Sequence, residues 1–521
     1  MSEEVIISMR PFAAAGISLL GALVIICFGN RVAPNVRESW SVLAALGKGL
    51  LVFSMVPAVL SGKVYQATLF QVAEGIGLTL RTDPAGMVFA CLASFLWILT
   101  TVYSIGYMRG HREKNQTGYY ACFALCLCAT IGISFAANLA TFFVFFEMLT
   151  LATYPLVVHY RDGESRRAGR KYLAYTLISG QVMLFGILCI YALTGRGDFT
   201  PGGFLSGGTA PSWAMEGLFA AMILAGAVKA GIMPVHGWLP DAMVAPTPVS
   251  ALLHAVAVVK AGGFCIIRMV GYVFGPALSA RLAADTLLAL LAAATILAAS
   301  LIAMRQDHLK RRLAYSTIGQ LSYVALGAAL LAPVSMAGAL FHIVAHGLLK
   351  ITMFMCAGAV FVRTHKAYIS QMRGVGRSMP LVMGLFAVAS FGIAGMPFLP
   401  AFISKLEIGL GAYETGHPAY LAVLAASSLL SLAYFLPVVW TAFSLEKTGE
   451  IEREDKKDKT GEEEPAMQRG LFPGWDDTDW RLVLPPLLTV SAAVILGIWP
   501  NAGAGIFELA AMAAKEMGAV G

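Results

Sequence analysis

The sequence is short of charge. Only 13% of its 521 residues are Asp, Glu, Lys or Arg, about half the share of a soluble domain, while 58% are hydrophobic. Mean hydropathy is +0.73. Other signatures are missing too. The eight cysteines include no CxxC pair, so nothing marks a metal or redox centre. There is no GxGxxG and no Walker motif, so no means of holding a dinucleotide or a nucleoside triphosphate is visible. The net charge of +7 does not point to nucleic acid, because the basic residues lie in loops. No cofactor and no metal is expected.

What the chain has in abundance is apolar runs. Each is long enough to cross roughly 30 Å of hydrocarbon. The pattern predicts an all-α integral membrane protein with fourteen spans, near 11–29, 43–62, 84–107, 117–135, 138–159, 172–194, 213–233, 249–272, 282–304, 311–332, 335–361, 381–413, 418–443 and 482–499. Residues 63–82 are too polar to span and are expected to form a hairpin or short strands. An amphipathic helix is expected at 502–517. Acidic residues in MSEEVIISMR are unlike a secretory signal, so 11–29 reads as a retained span. Cys122, Cys126 and Cys128 read as small packing residues within a span. Charged residues sort the loops. Counting loops and span ends, 25 Lys and Arg fall on one side of the alternation and 6 on the other. The rich side is expected to be cytoplasmic, with both termini opposite, in a prokaryotic inner membrane. The stretch 445–481 is a charged cytoplasmic loop, with two tryptophans that read as linker or docking site.

Of the 37 Lys and Arg, six fall inside spans: Lys48, Lys229, Lys260, Arg268, Lys350 and Lys405. Lys48 and Arg268 lie near predicted span ends, where long side chains can snorkel to the surface. The other four sit at mid-span depth, against two in-span acids, Glu147 and Glu407. Ionisable groups at that depth are costly and usually face a bundle interior or an ion path. Four lysines cannot all pair with two acids. A lysine taken out of water gives up its proton more readily, the property a proton relay needs. In FHIVAHGLLK, His342, His346 and Lys350 recur at intervals of four, placing them on one helix face over about 12 Å. His254 lies six residues before Lys260. A zinc site at a histidine pair lacks acidic or thiol ligands nearby.

Prolines break two spans. Pro234 and Pro240 flank GIMPVHGWLPD, which also holds His236 and Asp241, and Pro397 and Pro400 interrupt FGIAGMPFLPAFISKLE. A proline inside a span frees a carbonyl, tolerated at membrane depth only where the protein interior satisfies it. Paired breaks, AGIMP and IAGMP, each with a lysine nearby, suggest repeated halves with an ion site between them.

The stretches KAGIMPVHGWLPDAMVAPTPVSALLHAVAVVKAGGF, DHLKRRLAYSTIGQLSYV and HIVAHGLLKITMF resemble the antiporter-like subunits of respiratory complex I, the large subunits of Mrp cation/proton antiporters and those of energy-converting membrane hydrogenases, over about residues 84–440. The resemblance implies fourteen transmembrane helices, two inverted five-helix repeats and broken helices 7 and 12. The expected divisions are 1–110 (helices 1–3), 111–275 (first repeat), 276–444 (second repeat), 445–481 (loop) and 482–521 (helix 14 and tail). It implies that Glu147 and Lys229 are the family's Glu–Lys pair, that Lys260 is the central relay residue, that Lys350 with His342 and His346 is the helix 11 link, and that Lys405 is the terminal group. Two departures stand out: both His254 and Lys260 occur in helix 8, and Glu407 lies two residues from Lys405.

The implied function is a proton-translocating membrane subunit, with protons passing Lys229 and Lys260, then Lys350 and His346, and leaving by Lys405. Any enzymatic chemistry would belong to other subunits. Expected partners are the lipid bilayer, antiporter-like paralogues and small membrane subunits, with a peripheral redox module if the complex is of that type, and no nucleic acid. Two rival readings stay open: an Mrp-type subunit exchanging protons for Na+ or K+, and a structural subunit that translocates nothing.

Overall fold

The computed structural model describes residues 4–73, 76–444 and 479–518. All but the last three residues of the expected loop 445–481 lie outside that set. The chain is a helical bundle with a small sheet. Helices are α1 (Arg10–Phe28), α2 (Pro34–Leu60), α3 (Pro84–Gly110), α4 (Gln116–Phe135), α5 (Leu139–Val157), α6 (Gly163–Thr194), α7 (Ser212–Ala230) and α8 (Thr247–Arg281). They continue with α9 (Ala284–Met304), α10 (Leu309–Ala329), α11 (Pro333–Thr364), α12 (Pro380–Ala394), α13 (Pro400–Glu414), α14 (Ala419–Phe443), α15 (Trp480–Ile498) and α16 (Ala502–Gly518). Residues 63–82, too polar to span, form β2 (Lys63–Ala73) and β3 (Ile76–Arg81), paired antiparallel. A strand β1 (Glu4–Ile7), which the hydropathy pattern does not indicate, runs parallel to β2.

Local chemistry sets the helix starts. Pro34, Pro84, Pro333, Pro380 and Pro400 open their helices, where a missing N–H costs nothing. Asp83, Asn138 and Asp162 cap α3, α5 and α6 through bonds to Gly86 N, Thr141 N and Ser165 N.

Among the described residues twelve helices are long and apolar enough to cross a membrane. The two other expected spans are accounted for differently. The expected tenth is α10, a buried helix whose Ser316, Thr317, Gln320 and Ser322 make it too polar to qualify alone. The expected twelfth is split into α12 and α13, each of 15 residues.

Burial ranks the helices. The apolar windows of α8 and α11 are buried throughout, whereas those of α1 and α14 are one-third buried. The bundle is therefore built around α8 and α11. A Cβ on Gly262 of α8 would meet Ala230 N of α7 at 2.3 Å, so that glycine lets the two backbones touch.

Two side chains expected to snorkel do not. α2 begins at Pro34 rather than 43, which moves Lys48 to mid-helix, fully buried with its Nζ 4.1 Å from the Trp97 ring centre. Arg268 is also fully buried. It donates through Nη1 and Nη2 to the Asp83 carboxylate at 2.5 and 2.8 Å, and to Ser134 O at 3.2 Å. α8 extends to Arg281, so Arg268 is not near its end, and the cap residue of α3 supplies its counter-charge.

Removing one partner of this pair strands a buried charge. Asp83→Asn keeps the cap and should destabilise the chain by about 3–5 kcal/mol, read as a lower unfolding midpoint in detergent. Combining it with Arg268→Met should restore most of the loss; equal destabilisation in single and double variants would contradict the pairing.

Candidate functional site

The breaks come first, because they place the lysines. α7 ends at Ala230, and Gly231 takes the left-handed conformation at φ +79. The chain turns through Pro234, makes one helical turn at Trp238–Asp241 that contains Pro240, and enters α8 at Thr247. Trp238 Nε1 donates 2.8 Å to Val228 O, satisfying a carbonyl the break releases. α12 ends the same way: Gly395 has φ +92, Pro397 and Phe398 form the link, and Pro400 opens α13. Here the released carbonyls of Ile393 and Ala394 accept bonds from Lys405 Nζ at 2.9 and 3.1 Å. Both breaks are thus closed by side chains from beyond the interruption.

The first group of residues lies on α5, α6 and α7. Lys229 is fully buried; its Nζ donates to Phe146 O and stands 3.3 Å from the Phe146 ring centre. Glu147 is the next residue on α5. It makes no ion pair with Lys229 among the described residues, and neither of its buried carboxylate oxygens has a hydrogen-bond partner there. A Cβ on Gly180 of α6 would fall 2.2 Å from Glu147 Oε1, so the bare backbone of α6 makes room for the carboxylate.

The central group joins α8 to α11. His254 sits in a π-helical stretch, Leu252–Val256, and Lys260 follows in the regular helix. Lys260 Nζ contacts His346 Nδ1 of α11. The His346 and His342 rings stack at 6.1 Å and 15°, one turn apart. His342 Nδ1 then meets Ser404 Oγ of α13 at 2.7 Å, and the adjacent residue is Lys405. Tyr323 of α10 closes this corner: its ring stacks on His342 at 5.3 Å and lies 5.0 Å from Lys405 Nζ. A line of titratable and hydroxyl groups therefore runs Lys260, His346, His342, Ser404, Lys405, all buried. Bonds join its first and third steps, the two imidazoles meet by stacking, and Lys405 Nζ follows Ser404 in the chain while bonding Ile393 O, Ala394 O and Ser428 Oγ.

Other expected residues stand off this line. Lys350 is buried on α11, but its Nζ turns to Leu313 O of α10 at 3.3 Å and lies 5.0 Å from the Phe435 ring centre of α14. His254 lies against the Phe354 ring at 5.0 Å, with neither ring nitrogen bonded to the protein. His236 is half-buried near Tyr315, and Asp241 pairs with Lys171 of α6 at 2.7 Å, so both act at the break. Glu407 is half-buried beside Gly338 of α11, with no polar partner among the described residues.

Reading the sequence for charge passes over Ser404, Tyr323 and Phe146. Ser404 and Tyr323 leave one trace each: the SK dipeptide and the unusual polarity of α10. Phe146 carries no signal, since a backbone carbonyl is available at every position.

The family described as NADH:quinone oxidoreductase/Mrp antiporter, transmembrane, matches residues 136–431, which contain every residue of the line. NADH-quinone oxidoreductase subunit N of Desulforudis audaxviator is 33% identical over 371 residues, 70% of this chain and 73% of that one. A Rhizobium meliloti protein described as a probable K(+)/H(+) antiporter subunit is 31% identical over 369 residues, 70% of this chain and 36% of that one. The solved structure of the membrane-bound sulfane sulfur reductase, an archaeal respiratory membrane complex, has a chain that superposes with a TM-score of 0.82 over 98% of both chains at 22% identity, a likeness of fold. The chain belongs to the NADH:quinone oxidoreductase/Mrp antiporter transmembrane family.

Proposed function

We propose that the chain is a proton-translocating membrane subunit of a multi-subunit ion-pumping complex. The observation that carries this reading is the buried line from Lys260 through His346, His342 and Ser404 to Lys405, which crosses the bundle from α8 to α13. The Nε2 atoms of both histidines lack protein partners, so neither ring is locked into one arrangement. A structural subunit would have no use for such a line. The halves 111–275 and 276–444 are taken as inverted repeats, supported by the matching breaks after Ala230 and Ala394. The Lys- and Arg-rich face is taken as cytoplasmic, with both termini opposite.

Protons reach Lys229 and Lys260 from the cytoplasmic face, pass along the line and leave by Lys405; Lys350 and His254 flank it. Glu147 and Lys229 form the switch. They stand apart here, and bringing opposite charges to about 4 Å is worth about 4 kcal/mol at an effective dielectric of 20. Moving one charge through 100 mV costs about 2.3 kcal/mol. The scales match, so making or breaking this one pair can gate one proton. Partners are other membrane subunits of such a complex. Exchange for Na+ or K+ is the second reading, motivated by the antiporter relative, whose length this chain covers only in part.

In the assembled complex, Lys229→Ala should abolish proton translocation, followed with a pH-sensitive dye in vesicles; wild-type pumping would refute the switch. At the far end, Lys405→Ala should cost about tenfold or more and Glu407→Gln little, as each is measured by initial rate. The reverse order would move the terminal group to Glu407. Gly180→Ala, which alters no charge, should displace the Glu147 carboxylate and slow transport severalfold at normal assembly; an unchanged rate would remove Glu147 from the switch.

A further inference from the structure

Nine histidines occur in the chain, and the line uses two. Three others gather where the ends of α3, α5 and α11 meet, on the Lys- and Arg-rich face. Glu113, between α3 and α4, is the centre. Tyr160 OH donates 2.7 Å to its Oε1, His159 Nε2 lies 3.5 Å from its Oε2, and His111 Nε2 lies 3.9 Å from Oε1. The carboxylate is nearly closed off, with a side chain 5% exposed, whereas His111 is 26% exposed and reaches the surface. The His111 ring packs on His365 at 6.0 Å and on Tyr107 at 5.9 Å. Tyr107 OH accepts from Thr247 Oγ1 at 3.4 Å, and Thr247 is the first residue of α8. Lys310 of α10 donates 2.8 Å to Ala245 O, two residues earlier. The cluster thus has an outer end at His111 and an inner end at the head of the helix that carries His254 and Lys260.

We propose that Glu113, held by Tyr160, His159 and His111, is the proton-loading site of this chain, collecting protons from the cytoplasmic solution and passing them through Tyr107 and Thr247 to α8. The assignment rests on the relay reading. In each step one proton moves from water to the cluster and from the cluster inward, with no other bond made or broken.

The charge environment favours the empty, charged carboxylate, so a proton taken up is readily passed on. Burial pushes the Glu113 carboxyl up, but the bonds from His159 and Tyr160, with the charges of His159 and His111, outweigh it and hold it below the usual range. Tyr107 and Tyr119 also face it, and the Lys310 charge acts on it from α10. The carboxylate is therefore empty at neutral pH and holds each proton only briefly; its occupancy, and uptake with it, falls as pH rises further above its pKa.

The test uses the purified complex in vesicles, with proton uptake measured against pH on the cytoplasmic side. Tyr160 is 41% exposed, so Tyr160→Phe removes one donor with little repacking. It should raise the Glu113 pKa and move the alkaline fall of the rate profile upward by roughly half to one pH unit. Glu113→Gln should slow uptake about tenfold and flatten that fall. If Glu113→Gln does not assemble, Tyr160→Phe decides alone. Lys260→Ala separates the two claims. Normal uptake in Lys260→Ala overturns the relay itself. Loss of uptake there, with wild-type rate and pH profile in Tyr160→Phe and Glu113→Gln, overturns the loading site and leaves the relay standing.

Discussion

Inside a bilayer, a charge or an unpaired backbone carbonyl can be answered only by the protein. Most of this architecture follows from that constraint. Among the described residues the chain interrupts two spans and buries eight lysines and arginines, and the interruptions and several of the charges are met by specific partners. Trp238 closes the end of α7, Lys405 closes the end of α12, and Asp83 neutralises Arg268. The faces that carry such groups turn inward, and α8 and α11, whose apolar windows are buried throughout, carry Lys260, Arg268 and Lys350, while apolar helices such as α1 and α14 lie farther out.

Part of the interior set is lined up rather than scattered. Lys260 and Lys405 lie on helices from different halves of the chain, and α11 stands between them with two stacked imidazoles. Histidine suits that position, because each ring can receive a proton at one nitrogen and release it at the other. Ser404 supplies a hydroxyl that joins α11 to α13 through His342. The Glu147–Lys229 end differs in being open, since Lys229 is held by a carbonyl rather than by the carboxylate.

Much of this is legible in the sequence. Hydropathy places helices at all the expected sites, and the prolines mark both breaks, because each signal is local. The errors come from tertiary facts. Lys48 and Arg268 look like snorkelling residues because the apolar runs start later and end earlier than the helices do. α10 is readable as a helix, but its polarity makes sense only once it packs in the interior against His342 and Lys405. Lys350 shares a helix face with His342 and His346, yet the neighbours on α10 and α14 turn it aside. Spacing shows which residues share a face and not which neighbour each one meets. Glu113 escapes notice because its cluster is assembled from three separate loops.

The bond between Lys405 and the end of α12 couples two things that are usually separate. The ammonium group is the C-terminal cap of that half-helix, and it also holds a positive charge at the negative end of the helix dipole. A neutral amine could not fill both roles equally well. Under the proposed relay, a proton leaving Lys405 would therefore weaken the anchorage of α12 at its broken end, and a proton returning would restore it. In that reading the residue at the far terminus is also a mechanical element, able to convert charge occupancy into the position of a helix.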